Sequence, residues 1–80
     1  KPVYFTVDLD VLDTSVFPGT GTPESGGVAF CELLDAVRKV SELDIVALDM
    51  NELAPPLDPT GSSTSLACKL LREILLYVYK

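Results

Sequence analysis

Two short runs of β-branched and aromatic residues set the problem this chain has to solve. They are Val3-Tyr4-Phe5-Thr6-Val7 and Ile45-Val46-Ala47-Leu48. Each is apolar on both alternating faces apart from Thr6, the pattern of a strand buried on both sides of a parallel sheet. Between them, Phe30, Leu33, Leu34, Val37 and Val40 recur at the spacing of one helix face, which predicts a helix over about Val28 to Leu43. Glu32 and Asp35 come early in it and Arg38 and Lys39 late, as the helix dipole favours. After the second run, Leu66, Leu70, Leu71, Ile74, Leu75 and Val78 predict a last helix from about Thr64 to Val78, with Ser62, Ser63 or Thr64 as its cap. Strand, helix, strand, helix is one right-handed βαβ unit plus a further helix, so the fold class is α/β with a parallel sheet.

Eighty residues allow one small domain. Two strands and two helices cannot cover both edges and both faces of such a sheet. The expectation is therefore a segment of a larger α/β domain, and the opening Lys1-Pro2-Val3, without initiator Met or signal pattern, agrees with an excised piece. With 48% hydrophobic residues and a mean hydropathy of +0.32 the chain is too apolar for disorder. Six cations against twelve acids give a net charge of −6, which argues against a nucleic-acid or anionic-membrane binder. No apolar run approaches the roughly 18 residues of a membrane span. Cys31 and Cys68 form no CxxC pair, and with no histidine a Cys/His zinc site lacks ligands. Both are expected as reduced core thiols.

The acids are unevenly placed. No cation lies between Lys1 and Arg38 or between Lys39 and Lys69. Two long segments, Asp8 to Gly27 and Asn51 to Ser63, thus carry acids without internal counter-charges. Long loops of this kind are usually functional, and ligands of open parallel sheets bind at the carboxyl ends of strands. Asp8 and Asp10 follow the first strand, Asp49 and Glu52 the second, so the four are expected on one rim. Converging like charges raise one another's pKa unless a cation is present. A divalent ion, a guanidinium or an ammonium group would supply it. On a regular strand Asp8 and Asp10 share one face and both reach one metal. Solvated loop caps are the alternative. Pro18-Gly19-Thr20-Gly21-Thr22-Pro23 has GxG but neither GxGxxG nor a following Lys-Ser or Lys-Thr, so it shapes backbone and cradles no phosphate.

The run Phe5-Thr6-Val7-Asp8-Leu9-Asp10-Val11-Leu12-Asp13, then Phe17-Pro18-Gly19-Thr20-Gly21-Thr22-Pro23-Glu24, then Gly26-Gly27, resembles the ureohydrolase family, which includes arginase and agmatinase. Asp49-Met50-Asn51-Glu52-Leu53-Ala54-Pro55 is similar to that family's D-(I/V/M)-x-E-x-x-P element near the C-terminus, and Asp58 and the final helix keep step with it. Thr14 and Ser25 stand where proline is common in the family. The resemblance implies a three-layer α/β/α fold, with residues 1–80 as the C-terminal segment of a single domain. It also implies a binuclear manganese centre, at which a hydroxide shared by the two ions attacks a guanidinium carbon and releases urea. Asp8 would bridge both metals, Asp10 would bind one, and Glu52 would hold the guanidinium. The family's remaining ligands come from an upstream H-D-A-H-x-D element and an earlier histidine, so this chain offers at most half a site and is expected to be inactive alone. Pro23-Glu24-Ser25-Gly26-Gly27 and Glu52-Leu53-Ala54-Pro55-Pro56-Leu57-Asp58 look closer to the agmatinase branch, which implies hydrolysis of agmatine to putrescine and urea, a cytoplasmic location and a homo-oligomer.

Two other readings compete. An Asp-x-Asp after an apolar strand also resembles the start of a haloacid-dehalogenase-type phosphotransferase, but Lys69 falls within the last helix and no Asp-Asp pair exists. The chain could instead be a non-catalytic cation-binding or assembly module.

Overall fold

The computed structural model describes residues 1–79. Strand β1 spans Pro2–Asp8 and strand β2 Asp44–Asn51, joined through helix α1, Phe30–Val40. Helix α2, Ser62–Val78, closes the order β-α-β-α. The two strands pair in parallel from Pro2 opposite Asp44 to Asp8 opposite Asn51, with one irregularity between Val3 and Tyr4. The α/β segment expected from the alternating pattern is present, and both strands run further than the apolar runs alone.

The sheet is two-faced. Val3, Phe5 and Val7 lie opposite Ile45, Leu48 and Met50, and this side meets the core. Tyr4, Thr6 and Asp8 lie opposite Ala47, Asp49 and Asn51 on the other side, where Tyr4 is 63% exposed. Burial on both sides, as the strand pattern suggested, does not hold within this chain. α1 and α2 contact each other and pack on one side only.

Phe17, Leu9 and Leu12 are among the most buried side chains, and all three come from the segment after β1. The sequence pattern suggested a structureless loop there. Instead Leu9–Val11 forms a single 3-10 turn, Leu12 bridges to Val28, and Asp13 bridges to Glu24. Gly27 permits this closeness, because a Cβ there would lie 2.6 Å from the Val11 carbonyl oxygen. Aperiodic spacing hid these residues, since a segment that reverses direction every few residues has no repeat for its buried side chains to follow.

In α1, Glu32 reaches back to accept the Ala29 N–H at 2.8 Å, and Val37 is the residue fully buried. In α2 the buried stripe is Ser63, Ala67, Leu70 and Ile74. The wider leucine face turns partly outward, leaving Leu71, Leu75 and Leu76 exposed. The cap of α2 also differs from expectation. Gly61 precedes the helix, and the first amides are satisfied from upstream: Thr60 Oγ1 accepts from Ser62 N and Asp58 Oδ2 from Ser63 N. An aspartate placed there suits the positive end of the helix dipole better than a serine hydroxyl. Cys31 and Cys68 are free thiols but exposed, not core residues, because each lies on its helix away from the buried stripe.

Candidate functional site

β1 and β2 end together, Asp8 opposite Asn51, so the residues that follow leave from one edge of the sheet. Asp8 terminates β1 and caps the 3-10 turn: its Oδ1 accepts the Asp10 N–H at 3.1 Å. Asp10 therefore sits in the turn and not on the strand. The shared strand face expected for Asp8 and Asp10 is replaced by this local contact, because the backbone turns as soon as a carboxylate can accept the amide two residues on. Thr22 donates to Asp10 Oδ2 at 3.1 Å. Each carboxylate thus has one oxygen that no hydrogen bond engages among the described residues: Asp8 Oδ2 and Asp10 Oδ1.

Asp49 does not join them at the rim. β2 continues to Asn51, so Asp49 lies inside the strand, opposite Thr6. Its carboxylate accepts from the Thr6 and Tyr4 hydroxyls and, at 2.7 Å, from the Asn51 side-chain amide. These bonds, Thr6 first, hold the Asp49 carboxyl below its ordinary pKa, and the same carboxylate pushes the Tyr4 phenol up. Asp49 is committed to the sheet surface. Glu52, the first residue past β2, is exposed and holds φ = +78°, the only non-glycine residue with positive φ among the described residues. A long side chain in that region is uncommon and persists where surrounding structure imposes it.

Two aspartates that spacing did not single out organise the loops around this edge. Asp13 accepts from Ser15 N and Oγ and from the amides of Gly26 and Gly27, at 2.7 Å for Gly26. The Ser15 hydroxyl and these amides bring its carboxyl down to about 2. Asp58 accepts from the amides and hydroxyls of Thr60 and Ser63. The Ser63 hydroxyl foremost brings it to about 2 as well. Both belong to Asp-x-Ser/Thr triplets, Asp13-Thr14-Ser15 and Asp58-Pro59-Thr60, a local turn signature that could have flagged them.

Asp8 and Asp10 offer hard oxygen donors of the kind that divalent manganese, magnesium or calcium accept. They fit such an ion as two of the roughly six ligands it takes. Among the described residues no three acidic or cysteine side chains gather closely enough to hold one, so the expected four-acid rim does not form within this chain.

Comparison with known proteins identifies relatives over nearly the whole chain. The agmatinase of Halalkalibacterium halodurans is 43% identical over 78 residues, which are 95% of this chain and 27% of that protein. The guanidinobutyrase of Pseudomonas aeruginosa is 40% identical over 92% of this chain and 23% of its own length. The chain thus spans about a quarter of the curated relatives it matches. Among solved structures, the proclavaminate amidino hydrolase of Streptomyces clavuligerus superposes with a TM-score of 0.87 at 42% identity, over 99% of this chain and 26% of that one. The sequence model of the Arginase family matches residues 1–77. Matched by the family model over residues 1–77 and 43% identical to a relative over 95% of its length, the chain belongs to the arginase family.

Proposed function

We propose that this chain is the C-terminal segment of a single-domain ureohydrolase that cleaves a guanidino compound, with agmatine as substrate and putrescine and urea as products. The observation that carries the reading is that Asp8 and Asp10 follow β1, and Glu52 follows the adjacent, parallel β2, at the same end of the sheet. In this reading Asp8 and Asp10 hold two manganese ions together with ligands from the rest of the protein. When bound, the ions supply an acidified, oriented water. The chain's own contribution is geometric and electrostatic. Thr22 orients Asp10, leaving its other oxygen for the metal. Glu52 receives the planar guanidinium through charge-assisted hydrogen bonds and faces it toward the aspartates. The agmatine reading rests on relatives named agmatinase and on the segments around Glu24 and Glu52. The resemblance further supports a cytoplasmic homo-oligomer.

A second reading rests on the composition: the 80 residues contain no histidine. By itself the chain would then be a non-catalytic cation-binding or assembly fragment, lacking the His-containing half of the site. The test uses the whole protein. With manganese it should release urea from agmatine, and Asp8→Ala and Asp10→Ala should each lower metal content and activity by orders of magnitude. Full manganese stoichiometry in both variants would remove the assignment.

A further inference from the structure

Asp58 is an acid that the proposed chemistry does not use, yet it is 6% exposed and both its oxygens are saturated. Oδ1 accepts from Thr60 N at 3.1 Å and Thr60 Oγ1 at 2.6 Å, and Oδ2 from Ser63 N at 2.8 Å and Ser63 Oγ at 2.6 Å. The Ser63 hydroxyl has one proton, and it goes to Asp58. Its lone pair is thereby turned toward Gly19, whose N–H it accepts at 2.9 Å. The Gly19 carbonyl in turn accepts from Ala54 N at 2.6 Å. Gly19 is held on both sides of its backbone, and only glycine fits, since a Cβ would stand 2.6 Å from the Ser63 Cβ.

These contacts join two segments that carry different parts of the site. Gly19 lies three residues before Thr22, which orients Asp10, and Ala54 lies two residues after Glu52. We propose that Asp58 is a positioning residue: through Ser63 and Gly19 it sets the separation between the Asp8/Asp10 pair and Glu52. The inference rests on the ureohydrolase reading for its catalytic consequence and on the contacts alone for its structural one. A misplacement of about 1 Å between a bound substrate and the groups that act on it costs about a hundred-fold in rate. The loss should fall on kcat, because Glu52 still binds the guanidinium but presents it in the wrong place.

Asp58→Asn tests this in the full-length, manganese-loaded protein. An amide presents one acceptor where four donors converge, so either the Thr60 pair or the Ser63 pair loses its partner. Ser63→Ala removes the link to Gly19 while keeping the residue 63 amide for Asp58, and it carries the test if the asparagine variant fails to fold. Each should retain its metal, lose about ten- to a hundred-fold in kcat, and keep KM within about three-fold. The double variant should be no worse than the more damaged single one, because both act through one chain of contacts. Amide exchange at Gly19 and Ala54 should accelerate in both. Ser41→Ala, which removes a hydroxyl bond to the Arg38 carbonyl at the far end of α1, should leave kcat unchanged. An unchanged kcat in the Asp58 and Ser63 variants, additive losses, or an equal loss in Ser41→Ala would overturn the proposal. If the wild-type protein hydrolyses no guanidino compound, the ureohydrolase reading fails, and the exchange rates still decide whether Asp58 ties the two segments.

Discussion

Glu52 occupies a backbone conformation that glycine would adopt without strain, and this separates its cost from its use. An L-residue in the left-handed region costs roughly 1 kcal/mol, against which glycine loses more entropy on folding. Glu52→Gly is therefore expected to leave stability within about 1 kcal/mol of wild type, on the stabilised side, while removing guanidinium binding. Glu52→Gln keeps the strain and the shape but removes the charge. It should bind metal normally and bind substrate roughly ten- to a hundred-fold more weakly, the loss for a charged hydrogen bond. Urea unfolding midpoints and guanidinium affinities for both variants check this. A glycine variant that is markedly less stable would mean that the Glu52 side chain has a structural role. The motif marks Glu52 as the residue proposed to bind the guanidinium, but its φ depends on how β2 leaves the sheet, which no local residue preference announces.

The connecting segments carry as much of the organisation as the helices and strands, and their electrostatics make that testable. Asp13 titrates near 2 in the folded chain, below the 3.8 of an ordinary aspartate, because the Ser15 hydroxyl and the amides of Ser15, Gly26 and Gly27 favour its charged form. A depressed folded pKa means that the unfolded chain binds the proton first. The stabilisation is fully present above the unfolded value and is lost as pH falls from about 4 to about 2. Asp58 behaves in the same way. Asp13→Asn should therefore destabilise the protein near neutral pH, and the gap to wild type should shrink through that acid window. Parallel stability curves for the two proteins from pH 5 to pH 2 would show that Asp13 does not hold the loop. The helices were legible because burial imposes a period on them. The Asp8–Gly27 segment was not, because its buried Leu9, Leu12 and Phe17 are placed by turns and bridges that follow no period.

At the scale of the whole chain, apolar surface and backbone edges remain uncovered. Val46 is 60% exposed and Leu76 59%, and among the described residues the sheet contains only β1 and β2, so each strand has an unpaired edge. Apolar area left in water forgoes about 25 cal/mol per Å² of stabilisation, and open edges recruit other chains. The isolated 80 residues are expected to self-associate or stay partly molten, and to release no urea with manganese. Sedimentation velocity and scanning calorimetry test this, and a monomer with one sharp transition would refute it. The residues alone determined the order of elements, the parallel pairing and the chemistry on offer, since periodicity and residue type are local properties. Only the tertiary structure decided which sheet face is covered. It also withdrew Asp49 into the sheet surface, and it clamped the two acidic segments to each other through Asp58, Ser63 and Gly19. Those outcomes depend on contacts between residues up to 45 positions apart, as between Tyr4 and Asp49, or 44 apart, as between Gly19 and Ser63, and no pattern along the chain encodes which distant hydroxyl a backbone amide will meet.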